Sequence, residues 1–118
     1  MKTYKQALGI KGEKLALHFL RQRGYKIIAR NFSCRFGEID IIARQGKTTA
    51  FIEVKTRTSC EFGLPQEAIR PEKLKHLWRS AQFYIKRYAN PEGEFRFDAV
   101  AVVLSKDKAL IHLIKDIL

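Results

Sequence analysis

Cysteine is scarce in this 118-residue chain, which has only Cys34 and Cys60. The two lie 26 positions apart and form no CxxC pair. Two isolated cysteines in a chain able to build its own core favour reduced thiols over a disulfide framework. The N-terminus lacks the apolar segment and cleavage site of a signal peptide, and no apolar run approaches the roughly 20 residues of a membrane helix. We therefore expect a cytoplasmic protein with no membrane segment.

Repeats, low-complexity tracts and linkers are also absent, and the length fits a single domain over residues 1–118. A chain of this size buries roughly two-thirds of the surface that its unfolded form exposes. With 46% hydrophobic and 30% charged residues, its composition is that of an ordinary globular protein.

Acidic residues are few: 12 Asp and Glu stand against 23 Lys and Arg, a net charge of +11. Residues 1–35 hold nine basic side chains and one acid, and residues 71–90 hold five and one, whereas residues 36–70 are balanced. Summed positive charge attracts polyanions, which makes nucleic acid the expected partner. The alternatives at this point are a basic protein held on ribosomal RNA and one that is merely soluble.

Apolar residues spaced by three and four predict a helix from about Tyr4 to Arg23, ended by Gly24, and a second helix over Pro71–Tyr88. A loop is predicted over residues 58–65. Strands are predicted over Tyr25–Phe32, Gly37–Ala43, Thr48–Thr56, Phe95–Leu104 and Ala109–Ile114. The order α-β-β-β-α-β-β indicates an α/β fold, with a mixed β-sheet flanked by helices.

The second and third strands form a predicted hairpin that carries the clearest chemical signal. A turn centred on Gln45 and Gly46 places Asp40 opposite Glu53 or one diagonal step away, with Cβ atoms roughly 4.5–8 Å apart. Two carboxylates in such positions repel each other unless a cation lies between them, and Mg²⁺ binds such oxygens. Lys55, one same-face step from Glu53, adds a positive charge where water and phosphate would meet.

Glu13 is the only acid among the first 35 residues, and it shares a helix face with the apolar stripe that should pack on the sheet. An unpaired carboxylate there is costly, so we expect it to face the same site. The alternative is that Glu53 and Lys55 are ordinary surface charges. The longer pattern, with acids on three elements, favours a site.

The chain closely resembles the YraN-like family of small uncharacterised bacterial proteins, which is placed in the PD-(D/E)xK (restriction-endonuclease-like) nuclease superfamily, close to archaeal Holliday junction resolvases. The resemblance spans nearly the whole chain, with Ile39 in place of the proline of the superfamily's name. Its motifs are Gly12-Glu13, Gly37-Glu38-Ile39-Asp40-Ile41-Ile42-Ala43, Phe51-Ile52-Glu53-Val54-Lys55-Thr56-Arg57, Phe62-Gly63, Glu67-Ala68, Lys73 and Arg96-Phe97-Asp98-Ala99-Val100.

The resemblance implies metal-dependent hydrolysis of DNA phosphodiester bonds, acting on branched or recombination intermediates and using Mg²⁺ or Mn²⁺. Asp40, Glu53, Lys55 and Glu13 then match the catalytic residues. The expected metal ligands are the carboxylates of Asp40, Glu53 and Glu13 and the backbone carbonyl of Val54. Resolvase-like relatives work as dimers, which leaves a homodimer open.

The candidate nucleic-acid contacts are Lys11, Arg35, Arg57 and Lys73. Surface charge is the alternative for Arg57 and Lys73. No base-reading motif is present, so contacts to phosphate should give structure-selective or non-specific binding. A second hypothesis is a non-catalytic basic nucleic-acid-binding protein that retains the nuclease fold. Structural pairing of Asp98 with Arg96 competes with a catalytic role for Asp98.

Overall fold

The structure, a computed structural model, describes residues 2–58, 70–89 and 92–118. Its elements are α1 (Tyr4–Gln22), β1 (Lys26–Cys34), β2 (Gly37–Gln45), β3 (Thr48–Arg57), α2 (Pro71–Tyr88), β4 (Glu94–Leu104) and β5 (Ala109–Ile114). The predicted α/β class and the order α-β-β-β-α-β-β are confirmed. Cys60, most of the predicted loop over residues 58–65, and the Phe62-Gly63 and Glu67-Ala68 motifs lie outside the described residues.

Helix α1 is closed at both ends by hydrogen bonds that its sequence supplies. Thr3 and Gln6 form a capping box at the start, each side chain bonding the other's backbone N–H. At the end Gly24 has φ +84°, a left-handed conformation that glycine adopts freely. Its N–H and that of Tyr25 bond the carbonyls of Arg21 and Leu20, a Schellman motif. Tyr25 therefore belongs to the end of the helix, which is why β1 starts one residue later than predicted.

The five strands form one sheet in the order β1-β2-β3-β4-β5. Strands β3 and β4 are parallel, and the other neighbours are antiparallel. A parallel pair requires a crossover connection, and α2 lies in the segment that joins β3 to β4. No helix in the described part of the chain is long and apolar enough to cross a membrane.

Each face of the sheet carries its own hydrophobic core, because strand residues alternate between the faces. Ile52 packs with α1 residues such as Leu17 and Leu20, whereas the adjacent Phe51 packs with Leu77 and Tyr84 of α2. The two helices therefore cover opposite faces, and β2 and β3 lie between them.

Asp98 and Arg96 form a buried structural cluster on β4. Arg96 donates from Nε to Asp98 Oδ1 at 2.8 Å and from Nη2 to the Tyr25 hydroxyl at 2.9 Å. Asp98 is fully buried and also accepts from the backbone N–H of Asp116 at 3.0 Å. These contacts tie the C-terminal end of α1 and the C-terminal segment to β4, so the structural pairing of Asp98 with Arg96 that the sequence left open is found.

Candidate active site

Asp40 lies where β2 separates from β3. The ladder between these strands runs from Gln45↔Thr48 to Ile41↔Ile52, so Asp40 and Glu53 are the next residues on either strand. This register agrees with the position predicted from the turn. Asp40 Oδ2 accepts a hydrogen bond from the backbone N–H of Val54 at 2.8 Å, which fixes the carboxylate across the gap between the strands.

An irregularity in β1 and β2 turns the local backbone at this point. Ile41 belongs to the core under α1, but Ile39, two residues away, belongs to the core under α2. Asn31 lies across from Asp40 on β1 and has φ +51°. The flanking pairs are Arg30↔Ile41 and Phe32↔Ile39. Asparagine is enriched among non-glycine residues in this left-handed region. The Asn31 side chain lies near the Glu13 carboxylate and acts to lower its pKa.

Glu53 is almost completely buried, with 2% of its surface exposed. Its carboxyl group lies beside Asp40 of the neighbouring strand and forms an ion pair with Lys73 of α2. Burial, followed by the charge of Asp40, raises the pKa of Glu53 to about 7, although Lys73 acts in the opposite direction. Two carboxyl groups this close favour holding one proton between them near neutral pH.

Asp40 and Glu13 also bind protons more tightly than free carboxylates. Burial raises the pKa of Asp40 against the lowering effect of its hydrogen bond from Val54. Burial and then the charge of Asp40 raise the pKa of Glu13, whose Oε1 lies 3.6 Å from Arg30 Nη2. Asp40 thus interacts electrostatically with an acid on each side.

Glu13 reaches this region because α1 approaches β3 closely at the preceding residue. A Cβ atom added to Gly12 would lie 1.8 Å from Thr56 Oγ1, so any larger side chain would push the helix away. Gly12 is buried in this contact. The neighbouring pair Gly12-Glu13 therefore combines close helix packing with an acid directed at the site.

Two clefts meet at Asp40. The α1 cleft, about 1080 Å³, is lined by residues that include Glu13, Asp40, Lys55 and Arg57. The α2 cleft, about 490 Å³, is lined by residues that include Arg35, Asp40, Glu53, Lys73 and His76. Glu53 and Lys55 were predicted to share a face, but they line different clefts.

Lys55 lies in the α1 cleft among other cations. Burial lowers its pKa, and the charges of Lys73 and Arg57 lower it further, whereas Glu53 acts in the opposite direction. A lysine with a lowered pKa loses its proton more readily than a free lysine. Lys55 is therefore a partly buried amine within the electrostatic reach of Glu53.

Asp40 and Glu53 fit a Mg²⁺ or Mn²⁺ ion better than the predicted three-carboxylate set does. Mg²⁺ is commonly held by one or two protein carboxylates, with water and substrate phosphate filling its other positions. Residues 2–58, 70–89 and 92–118 contain no group of three or more His, Cys, Asp or Glu side chains that could hold a metal ion. Val54 gives its N–H to Asp40, and its carbonyl stays a predicted ligand.

The four predicted nucleic-acid contacts lie in different places. Arg57 lines the α1 cleft and Arg35 the α2 cleft. Lys11 is exposed in a separate groove beside Leu104. Lys73 is paired with Glu53, so its ammonium group belongs to the site.

Two residues at the site were absent from the sequence prediction. One signal pointed to Asn31: it is an asparagine inside the predicted strand Tyr25–Phe32. Asparagine adopts the left-handed conformation more readily than most residues, and such a residue interrupts regular strand pairing. His76 lines the α2 cleft, and its Nδ1 lies 3.0 Å from the Phe36 carbonyl oxygen. Nothing in its spacing in the sequence distinguishes it.

Comparison with known proteins gives consistent matches over the site. Residues 12–102 match the model of a family described as "Uncharacterised protein family UPF0102". A UPF0102 protein of Caldicellulosiruptor saccharolyticus is 46% identical over 114 residues, covering 95% of this chain and 97% of the relative. A UPF0102 protein of Nocardia farcinica is 48% identical over 101 residues, covering 86% and 80%. The matched range includes Glu13, Asp40, Glu53 and Lys55.

Proposed function

We propose that this chain, which belongs to the uncharacterised protein family UPF0102, is a cytoplasmic, divalent-metal-dependent nuclease. It would hydrolyse phosphodiester bonds in DNA. The observation that carries the proposal is the Asp40–Glu53 pair, two acids that follow the last paired residues of β2 and β3 and lie at the junction of two clefts.

Such a pair is unfavourable in a protein that only needs to be stable. Burial penalises the charged form of each acid, and the charge of Asp40 further penalises that of Glu53. Binding nucleic acid alone gives no reason to bury acids that repel phosphate. A cation held between the two groups relieves both costs, so metal binding explains the arrangement.

Asp40 and Glu53 would hold the ion, fixed in place by the Val54 N–H and by burial. When bound, Mg²⁺ or Mn²⁺ supplies a Lewis acid and lowers the pKa of a bound water. Lys55 would offer its amine to the phosphate or the attacking water from the α1 cleft. Glu13, with its raised pKa, would exchange a proton at the same cleft.

Binding would depend on the positive charge of the chain, a net +11. Contacts of Lys and Arg to phosphate set affinity without reading bases, and they weaken as salt rises. We therefore propose structure-selective or non-specific recognition, with branched DNA as the preferred substrate. A homodimer would place two such sites on one substrate.

A cleavage panel tests the proposal. Single-stranded, duplex and four-way-junction DNA are incubated with Mg²⁺ or Mn²⁺ and with wild type, Asp40→Ala, Glu53→Ala and Asp107→Ala. Asp107 is an exposed acid between β4 and β5, which makes it the matched control. We expect wild type and Asp107→Ala to cleave and both site variants to lose cleavage while they still bind DNA.

The alternative is a non-catalytic nucleic-acid-binding protein that keeps this fold. Its support is that Lys73 already neutralises Glu53 without a metal. Equal DNA binding by all four proteins, with no cleavage in either metal, would establish this alternative. A strong preference for RNA that metal does not affect would instead indicate an RNA-bound protein.

A further inference from the structure

Lys73 contacts the same carboxyl group of Glu53 that the proposed metal ion would use. It is the third residue of α2, and its Nζ pairs with Glu53 Oε1. Both side chains line the α2 cleft together with Asp40. The ammonium group therefore stands in the same cleft as the two carboxylates that would hold the ion.

The pair combines a buried anion with a cation that can leave. The Glu53 side chain is 3% exposed, whereas that of Lys73 is 48% exposed. Loss of Lys73 alone would leave an uncompensated buried charge, which is strongly unfavourable. About half of the Lys73 side chain already contacts solvent, so the ammonium group can move away into the cleft once another cation neutralises Glu53.

A divalent ion and an ammonium group cannot both sit against one carboxylate oxygen without repelling each other. Lys55 lies in the α1 cleft and interacts with Glu53 through its charge, without an ion pair between the two among the described residues. Among the described residues, Lys73 is the one side chain in an ion pair with Glu53.

We propose that Lys73 is a built-in competitor of the divalent ion: it holds Glu53 in the metal-free protein and leaves when the ion binds. This inference rests on the proposed function insofar as Asp40 and Glu53 are the metal ligands. Lys73 is a positioning residue here. Once released, its charge lies in the α2 cleft beside Arg35, where it adds to the attraction for phosphate.

Mn²⁺ binding to the full chain, measured by calorimetry without nucleic acid, tests the competition. Lys73→Met removes the competing charge, and Lys75→Met removes an equal charge from an exposed site two residues along the same helix. We expect Lys73→Met to bind Mn²⁺ about tenfold more tightly than wild type, the effect of one such ion pair. Lys75→Met should match wild type. Equal or weaker binding by Lys73→Met overturns the proposal.

A second measurement needs no variant at the lysine. An ammonium group held in an ion pair exchanges its protons slowly, so the Lys73 side-chain ¹⁵N resonance should be visible in the metal-free protein. It should disappear as Mg²⁺ is added, and a resonance that Mg²⁺ leaves unchanged contradicts displacement. Tighter Mn²⁺ binding by Lys73→Met with no DNA cleavage would keep this inference and reject the nuclease. DNA cleavage by wild type, with the Mn²⁺ affinity of Lys73→Met unchanged, would support the nuclease and reject this inference.

Discussion

Replacing Glu53 with glutamine should remove much of the pH dependence of folding stability. The pKa of Glu53 rises from its ordinary value of 4.5 to about 7 in the folded chain, first through burial and then through Asp40. The folded state therefore binds this proton more tightly than the unfolded state. The resulting stability is fully present below about pH 4.5 and is lost as the pH rises through about 7.

The size of the effect follows from the two pKa values. A tenfold change in proton affinity is worth about 1.4 kcal/mol, so a rise from 4.5 to about 7 corresponds to roughly 3 kcal/mol. Most of this, about 2–3 kcal/mol, should be lost between about pH 5 and about pH 8. Glutamine keeps the shape and offers Asp40 an N–H donor without titrating.

Urea unfolding with EDTA at about pH 5 and about pH 8 measures the difference. Wild type should lose about 2–3 kcal/mol more than Glu53→Gln over this interval. Asp40 and Glu13 have pKa values raised in the same direction, so the wild-type total also includes them, and the comparison with Glu53→Gln measures Glu53 together with its effect on Asp40. Equal losses in the two proteins would refute the reasoning, because Glu53 would then titrate alike in the folded and unfolded chains.

Two further substitutions test the frame around the site. Gly12→Ala places a Cβ atom 1.8 Å from Thr56 Oγ1 and should destabilise the fold by about 1–3 kcal/mol in urea unfolding. Gly9→Ala is the control on the same helix: its Cβ would meet nothing within 4 Å and should stabilise the fold by up to about 1 kcal/mol. Asp98→Asn leaves the Arg96 guanidinium without its anion and should cost about 3 kcal/mol, seen as a lower Tm, while the exposed Asp107→Asn should change little. Equal stability of Gly12→Ala and Gly9→Ala would contradict the close packing of α1 on β3, and equal stability of Asp98→Asn and Asp107→Asn would contradict a structural role for the Arg96–Asp98 pair.

The order of elements could be predicted because its signals are local. Helical spacing, the glycine at the end of α1 and the hairpin turn each act over a few residues, and the structure keeps all of them. The ends of the strands are decided by pairing with a neighbouring strand, which local sequence signals do not contain. Strand β1 runs on to Cys34 since that residue pairs with Gly37 across the turn.

The position of Asp40 beside Glu53 could be predicted for the same reason, since both belong to one hairpin. The pairing of Lys73 with Glu53 could not. It depends on how α2 crosses the sheet after a connection of more than ten residues, and sequence spacing contains no information on that crossing. The separation of Glu53 and Lys55 into two clefts likewise depends on where the helices leave the sheet uncovered.

The instability of the Asp40–Glu53 pair and its proposed affinity for a divalent ion would have one physical origin. The free energy that raises the pKa of Glu53 is the penalty for holding two negative charges in a buried place. A divalent ion that binds the deprotonated pair removes this penalty, so metal binding should be weak below about pH 5 and should strengthen as the pH rises through about 7. Mg²⁺ should then restore at about pH 8 the stability that wild type loses there, because a ligand of the folded state stabilises it. Lys73 limits both effects, since it already neutralises part of the charge that the ion would meet.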